Sequence, residues 1–193
     1  MMEQSNLPTQ RVNISTQKML GGIGSILILL VFMPETVATL LGIVGFVLWL
    51  ISMYQLSNIL RKPSIFQKVL IGFILGIVGV VIALAFGLTA VISSLATIRG
   101  EAGAILGLGL GVAFAILVAY AALVVSFYFY KEAYEILAQA TAHNLFKIGG
   151  LLIFIGAITI ILFGLGALLM IVGNIVLAVA FFTAPNEVEV QST

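Results

Sequence analysis

Few side chains in this sequence are equipped for chemistry. There is no Asp and no Cys, a single His (His143), and seven acids that are all Glu: Glu3, Glu35, Glu101, Glu132, Glu135, Glu187 and Glu189. Glu132 and Glu135 share a face if their segment is helical, and paired carboxylates serve acid–base chemistry. Beside Lys131 they read instead as a salt-bridged, solvated face. A metal site needs three or four ligands, and His143 has no neighbours to complete one, so it reads as an interfacial turn residue. Without Asp no Ser-His-Asp set can form, and Ser93-Ser94 has no base in sequence reach. The glycine runs lack the Lys-Ser/Thr that follows a phosphate loop. The absence of Cys excludes disulfides, Cys-ligated zinc and a thiol nucleophile. No catalytic, cofactor or metal site is expected, and no enzymatic activity. Asn174 alone stands out, near the middle of the last apolar segment. An unpaired amide is unfavourable there, so Asn174 is expected to bond another helix, worth roughly 0.6–2 kcal/mol, or to touch a ligand.

The elements that would position these residues are apolar. Of 193 residues 62% are hydrophobic and 8% charged, against about 25% charged in a soluble domain. A surface so poor in charge needs lipid as its solvent. The net charge of +1 and the lack of a long basic run argue against a nucleic-acid partner. Residues 1–13 read as a polar, disordered tail, and the first apolar run, which no small-residue cleavage site follows, as a retained span. Spans are expected at 15–33, 37–57, 65–98, 102–130, 146–163 and 166–183, with an acidic tail over 185–193. Asn13 or Ser15 is a candidate cap for the first. Ser64 and Gln67 fit a capping box for the third, which is long enough that it must tilt, protrude or break, with Gly87 as the favoured break. Trp49 and the aromatic run at 127–130 with Tyr134 read as interfacial belts, because their rings are amphipathic.

Span four continues over 131–140 as an amphipathic helix. Tyr130, Ala133, Tyr134, Leu137 and Ala140 form its apolar face, a stripe for protein, headgroups or a partner protein. Gly72, Gly76 and Gly79 mark one face of helix three, and Gly103, Gly107 and Gly111 one face of helix four, so the central pair is expected to pack closely along these small residues. The chain ends echo each other. Gly21-Gly22 and Gly149-Gly150 share their offset with the pair of segments 40–45 and 168–173, a sign of a duplicated hairpin flanking the centre.

The segments 18–25, 64–66 and 130–134, together with the ending from Phe146-Lys147-Ile148-Gly149-Gly150 to Ala180-Phe181-Phe182, resemble an uncharacterised archaeal membrane-protein family. It is the domain-of-unknown-function family numbered nine-nine-six. That resemblance implies an archaeal plasma-membrane protein and lends no activity or functional residue. The resulting expectation is an all-α, polytopic transmembrane bundle of about six spans, a long central pair flanked by two short hairpins, with both termini cytoplasmic. It reads as a structural or accessory protein acting through the lipid bilayer or protein partners. The alternative is a channel or carrier for a small, uncharged solute.

Overall fold

In the computed structural model, which describes residues 9–32, 36–97, 102–162 and 164–191, the uninterrupted apolar runs form six helices. They are α1 (Ser15–Leu29), α2 (Thr36–Ile59), α3 (Pro63–Thr97), α4 (Ala102–Thr141), α5 (Leu145–Thr159) and α6 (Leu165–Thr183). The chain is an all-α, polytopic helical membrane protein. Thr36–Ile59, Pro63–Thr89, Gly109–Thr141 and Leu165–Thr183 are each long and apolar enough to cross a bilayer. Helices α1 and α5 have 15 residues each and rise about 22 Å, short of a hydrocarbon core of about 30 Å. A 3-10 turn, Leu30–Phe32, extends α1.

Contacts divide the chain into two units. One comprises Met1–Val69 with Tyr130–Thr193, the other Leu70–Phe129. In the first, α1 packs against α2 and α6, and α5 against α6. Burial here follows small residues more than hydrophobicity. The buried positions of α2 include Ala38, Gly42, Gly45, Trp49, Ser52 and Leu56, at helical spacing along one stripe. In an apolar solvent there is no gain in hiding leucine, and close backbone approach along small residues holds helices together instead. The approach is closest where glycines face each other. A Cβ built on Gly24 would lie 2.7 Å from the Gly45 carbonyl oxygen, and one on Gly45 would lie 2.8 Å from that of Gly24. Gly149 and Gly173 oppose each other in the same reciprocal way between α5 and α6, at 3.2 and 3.1 Å. The two terminal hairpins therefore share a glycine crossing.

Two further turns match in detail. After α2, the Lys62 N–H bonds the Ser57 carbonyl and the Ile65 N–H bonds Lys62; after α4, the His143 N–H bonds Ala138 and the Phe146 N–H bonds His143. In each turn a non-glycine residue holds the left-handed conformation, Arg61 at φ 52° and Ala142 at φ 50°. This is the Schellman ending, whose left-handed position glycine normally occupies. Ile65 and Phe146 drop into the interior just beyond the two turns. Ala142→Gly relieves the Cβ clash and is expected to stabilise the protein by about 1 kcal/mol. Unfolding in mixed detergent micelles measures this; no gain would mean that position 142 is not left-handed in solution.

Four sequence expectations are corrected. Residues 9–13 are not a disordered tail, and Glu187–Gln191 of the acidic ending form a strand. Strand β1 (Thr9–Asn13) pairs antiparallel with β2 (Glu187–Gln191), Arg11 opposite Glu189 and Val12 opposite Val188. Val188 and Val190 are buried, and the ribbon passes directly into the helices, since the Ile14 N–H bonds the Asn186 carbonyl. Helix α3 runs through Gly87 without a break; a Cβ there would meet nothing within 4 Å, so no neighbour forces a kink. And α3 begins at Pro63, which suits a first helical position because its missing N–H would be unbonded anyway. Ser64 therefore lies inside the first turn and not at its cap. The cap position of α1 falls to Ile14, which has no side-chain cap bond, so neither Asn13 nor Ser15 holds it; Asn13, one residue earlier, accepts the Ser15 N–H through its Oδ1 at 2.9 Å.

Candidate functional site

In the unit formed by 1–69 and 130–193, the polar and aromatic side chains gather where α2 and α4 end and α1, α3 and α5 begin. Trp49 lies here, 4% exposed, and its indole Nε1–H donates to the Tyr134 hydroxyl at 2.6 Å. The Tyr130 ring meets Trp49 edge to face at 5.6 Å. A buried indole N–H or phenol needs such a partner. Gly150 makes room, since a Cβ on it would come within 2.9 Å of the Tyr134 Cβ. The expected aromatic belt is thus corrected at Trp49 and Tyr134. Tyr134 and Trp49 are turned into the protein, while Tyr128 remains exposed. Most of the stripe over 131–140 also faces inward: Ala133 and Leu137 are fully buried, and Ala140 is half-buried. Tyr130 and Tyr134 stand one helical turn apart and each is followed by small or aliphatic residues on that face, which is the signal a sequence reading can use for inward placement.

Around this cluster lies a layer of ion pairs. Lys68 binds Glu132, Lys131 lies 3.1 Å from Glu135, and Lys147 lies 3.8 Å from the other Glu135 oxygen. The carboxylates of Glu132 and Glu135 are matched with lysines from α3, α4 and α5, an arrangement that ties helices together. Beyond them, the Lys18 ammonium donates to the Ala184 carbonyl at 2.6 Å, across α1 and the end of α6. The Ser52 hydroxyl donates to the Gln17 carbonyl at 2.7 Å. His143 Nε2 lies 3.0 Å from Thr183 Oγ1, joining the α4–α5 turn to α6. Among the described residues no three His, Cys, Asp or Glu side chains gather as a metal site would need.

The structure does not bring Asn174 into this cluster. Its Nδ2–H donates to the Met170 carbonyl of its own helix at 2.9 Å, as the hydroxyls of Ser25, Ser126, Thr141 and Thr159 bond carbonyls one turn back. Such back-bonding satisfies a polar donor without another helix. Asn174→Leu is therefore expected to change stability by less than about 1 kcal/mol. A larger loss in micelle unfolding would reveal an interhelical bond.

In the unit Leu70–Phe129, α3 and α4 meet along small residues. A Cβ on Gly76 would lie 3.3 Å from Ser126 Oγ, and one on Gly79 would lie 2.2 Å from the Ala122 Cβ. Gly72 is buried and Gly111 half-buried. The packing expected of Gly103 and Gly107 falls outside the described residues. The outward faces of this hairpin are strongly apolar, with Ile92, Leu110, Ile116 and Leu117 each more than 60% exposed.

A family described as protein of unknown function (DUF996) matches residues 41–175. An uncharacterised protein of the archaeon Methanocaldococcus jannaschii is 31% identical over 180 residues, covering 93% of this chain and 97% of its own length. No solved structure matches.

Proposed function

The chain belongs to the DUF996 family, and from that premise we propose that it is a structural or accessory protein of the plasma membrane, working through lipid or protein partners and not by catalysis. The carrying observation is what its surfaces offer. The polar residues around Trp49 are paired within the protein, and the exposed surface of Leu70–Phe129 is, among the described residues, mostly aliphatic. Aliphatic surface of this kind is favourable only out of water, at about 25 cal/mol per Å². A protein partner would meet the polar face of 131–140, since its apolar face is occupied internally.

Six crossings with both ends cytoplasmic fit this reading. Pairing of β1 with β2 holds Thr9–Asn13 beside Glu187–Gln191, which suits an even number of crossings. Arg11, Lys18, Arg61, Lys62, Lys68, Lys131 and Lys147 all lie in the unit that holds both ends, and cations favour the cytoplasmic side. Only Arg99, outside the described residues, is left for the other side.

The reading is tested on protein purified from its native membrane and on the same protein reconstituted in liposomes. A lipid or protein should accompany it in fixed proportion, and glycerol and urea should enter the vesicles no faster than into protein-free ones. Protein-dependent entry that Asn174→Leu abolishes would replace this reading with a carrier or channel.

A further inference from the structure

Where α2 ends, a cleft of about 460 Å³ opens between the α2–α3 turn, the last turns of α4 and strand β2. Its apolar part is formed by Leu60, Ala140 and Val190, and its polar part by Arg61, Lys62, Gln139 and Glu189. We propose that this cleft binds a phosphate group, supplied by the headgroup of an anionic lipid.

Arg61 and Lys62 are adjacent and solvent-exposed. A guanidinium forks onto two phosphate oxygens while an ammonium adds a point charge, and the Gln139 amide is a further donor. Glu189 is the one acid in the lining, and it lies 3.6 Å from Arg11 Nε, so cations outnumber it. Arg61 holds the left-handed position of its turn at φ 52°, as Ala142 does in the matching turn at φ 50°. The apolar lining beside an ionic rim suits a phosphate diester carrying hydrocarbon better than a bare inorganic anion. Anionic headgroups attract juxtamembrane Lys and Arg, the pair that Arg61 and Lys62 supply in this cleft. The inference rests on the membrane reading for the source of the phosphate, not for the site.

The test titrates protein in uncharged detergent with short-chain phosphatidylglycerol, phosphatidylcholine of equal chain length, and sodium phosphate. Calorimetry gives the affinity, and native mass spectrometry the stoichiometry. The expected result is one tightly held phosphatidylglycerol, with phosphatidylcholine much weaker. The double variant Arg61→Gly with Lys62→Gln should weaken binding by about tenfold or more, as loss of charge-assisted hydrogen bonds implies. Because Arg61→Gly relieves the left-handed residue, poor folding would not explain that loss. Glu189→Gln should tighten binding by removing the opposing charge, and Lys147→Gln, at the α5 start, should leave it unchanged. Sodium phosphate binding as tightly as the lipid, with the same response to the variants, would uphold the site and assign it a soluble phosphate compound. No lipid or phosphate binding, or equal losses in Lys147→Gln and the double variant, would overturn the proposal. Solute entry into liposomes would displace the functional reading and leave this binding result standing.

Discussion

Trp49→Ala is expected to destabilise the folded protein by about 3–5 kcal/mol, the range for emptying a large aromatic site. Trp49 is buried against Phe46, Tyr130 and Tyr134, so its removal opens a void and takes the partner from the Tyr134 hydroxyl. Tyr134→Phe keeps the volume and deletes the acceptor of the Trp49 N–H. It should cost about 1–3 kcal/mol, the penalty for leaving a buried donor unbonded. Trp49→Phe combined with Tyr134→Phe should cost less than the sum of the two single changes, because the second change no longer strands a partner. The readout is equilibrium unfolding in mixed micelles. A Trp49→Ala loss under about 1 kcal/mol would show that the indole faces lipid, where truncation empties no cavity.

Gly45→Leu is expected to be as damaging, costing about 3 kcal/mol or preventing folding. A Cβ at this position already lies 2.8 Å from the Gly24 carbonyl oxygen and 2.8 Å from the Ile28 nitrogen. Both are backbone atoms of a helix, so α1 and α2 would have to separate. Gly24→Ala should be destabilising for the same reason, since it meets the Gly45 oxygen and the Trp49 nitrogen at 2.7 Å. Gly87→Ala serves as the contrast. Nothing lies within 4 Å of a Cβ there, and alanine favours a helix over glycine by about 1 kcal/mol. If Gly45→Leu and Gly87→Ala unfold alike, the α1–α2 glycine crossing is not a close contact.

The helices were legible because long apolar runs stopped at Pro, charge and polar residues, and membrane helices need little else. The faces were harder to read. Lipid-facing Leu110 and interior Leu177 are chemically identical, so hydrophobic periodicity carries no information about which side is inside. Only the small residues discriminate, and the stripe of Ala38, Gly42, Gly45 and Ser52 was readable in principle. Trp49 and Tyr134 misled because an amphipathic ring has equal reason to sit at a headgroup or against a buried partner. The choice depends on a residue far along the chain. The β1–β2 ribbon is the extreme case: two five-residue segments at opposite ends of the chain, neither with a local turn to announce a strand. Asn174 differs again. Its amide reaches its own helix's carbonyl, a bond that needs no other element and that spacing between helices cannot reveal. Of the candidate cluster, the pairing of Glu132 and Glu135 with lysines was visible in the sequence, while the partners Lys68 and Lys147 came only with the fold.

The most direct test of six crossings with both ends cytoplasmic is single-cysteine labelling of intact cells with an impermeant thiol reagent. The native chain has no cysteine, so each signal reports one site. Suitable sites are Glu35→Cys, Gly100→Cys and Leu162→Cys on one side, with Asn144→Cys and Asn186→Cys on the other. Leu162 is chosen over Gly164 because Gly164 has φ 84°, which a side chain would strain. The first three should label in intact cells, and the last two only after detergent is added. Protection at Glu35→Cys and Leu162→Cys, with Gly100→Cys labelled, would mean that the terminal hairpins re-enter without crossing. Labelling of Asn186→Cys in intact cells would contradict the topology outright.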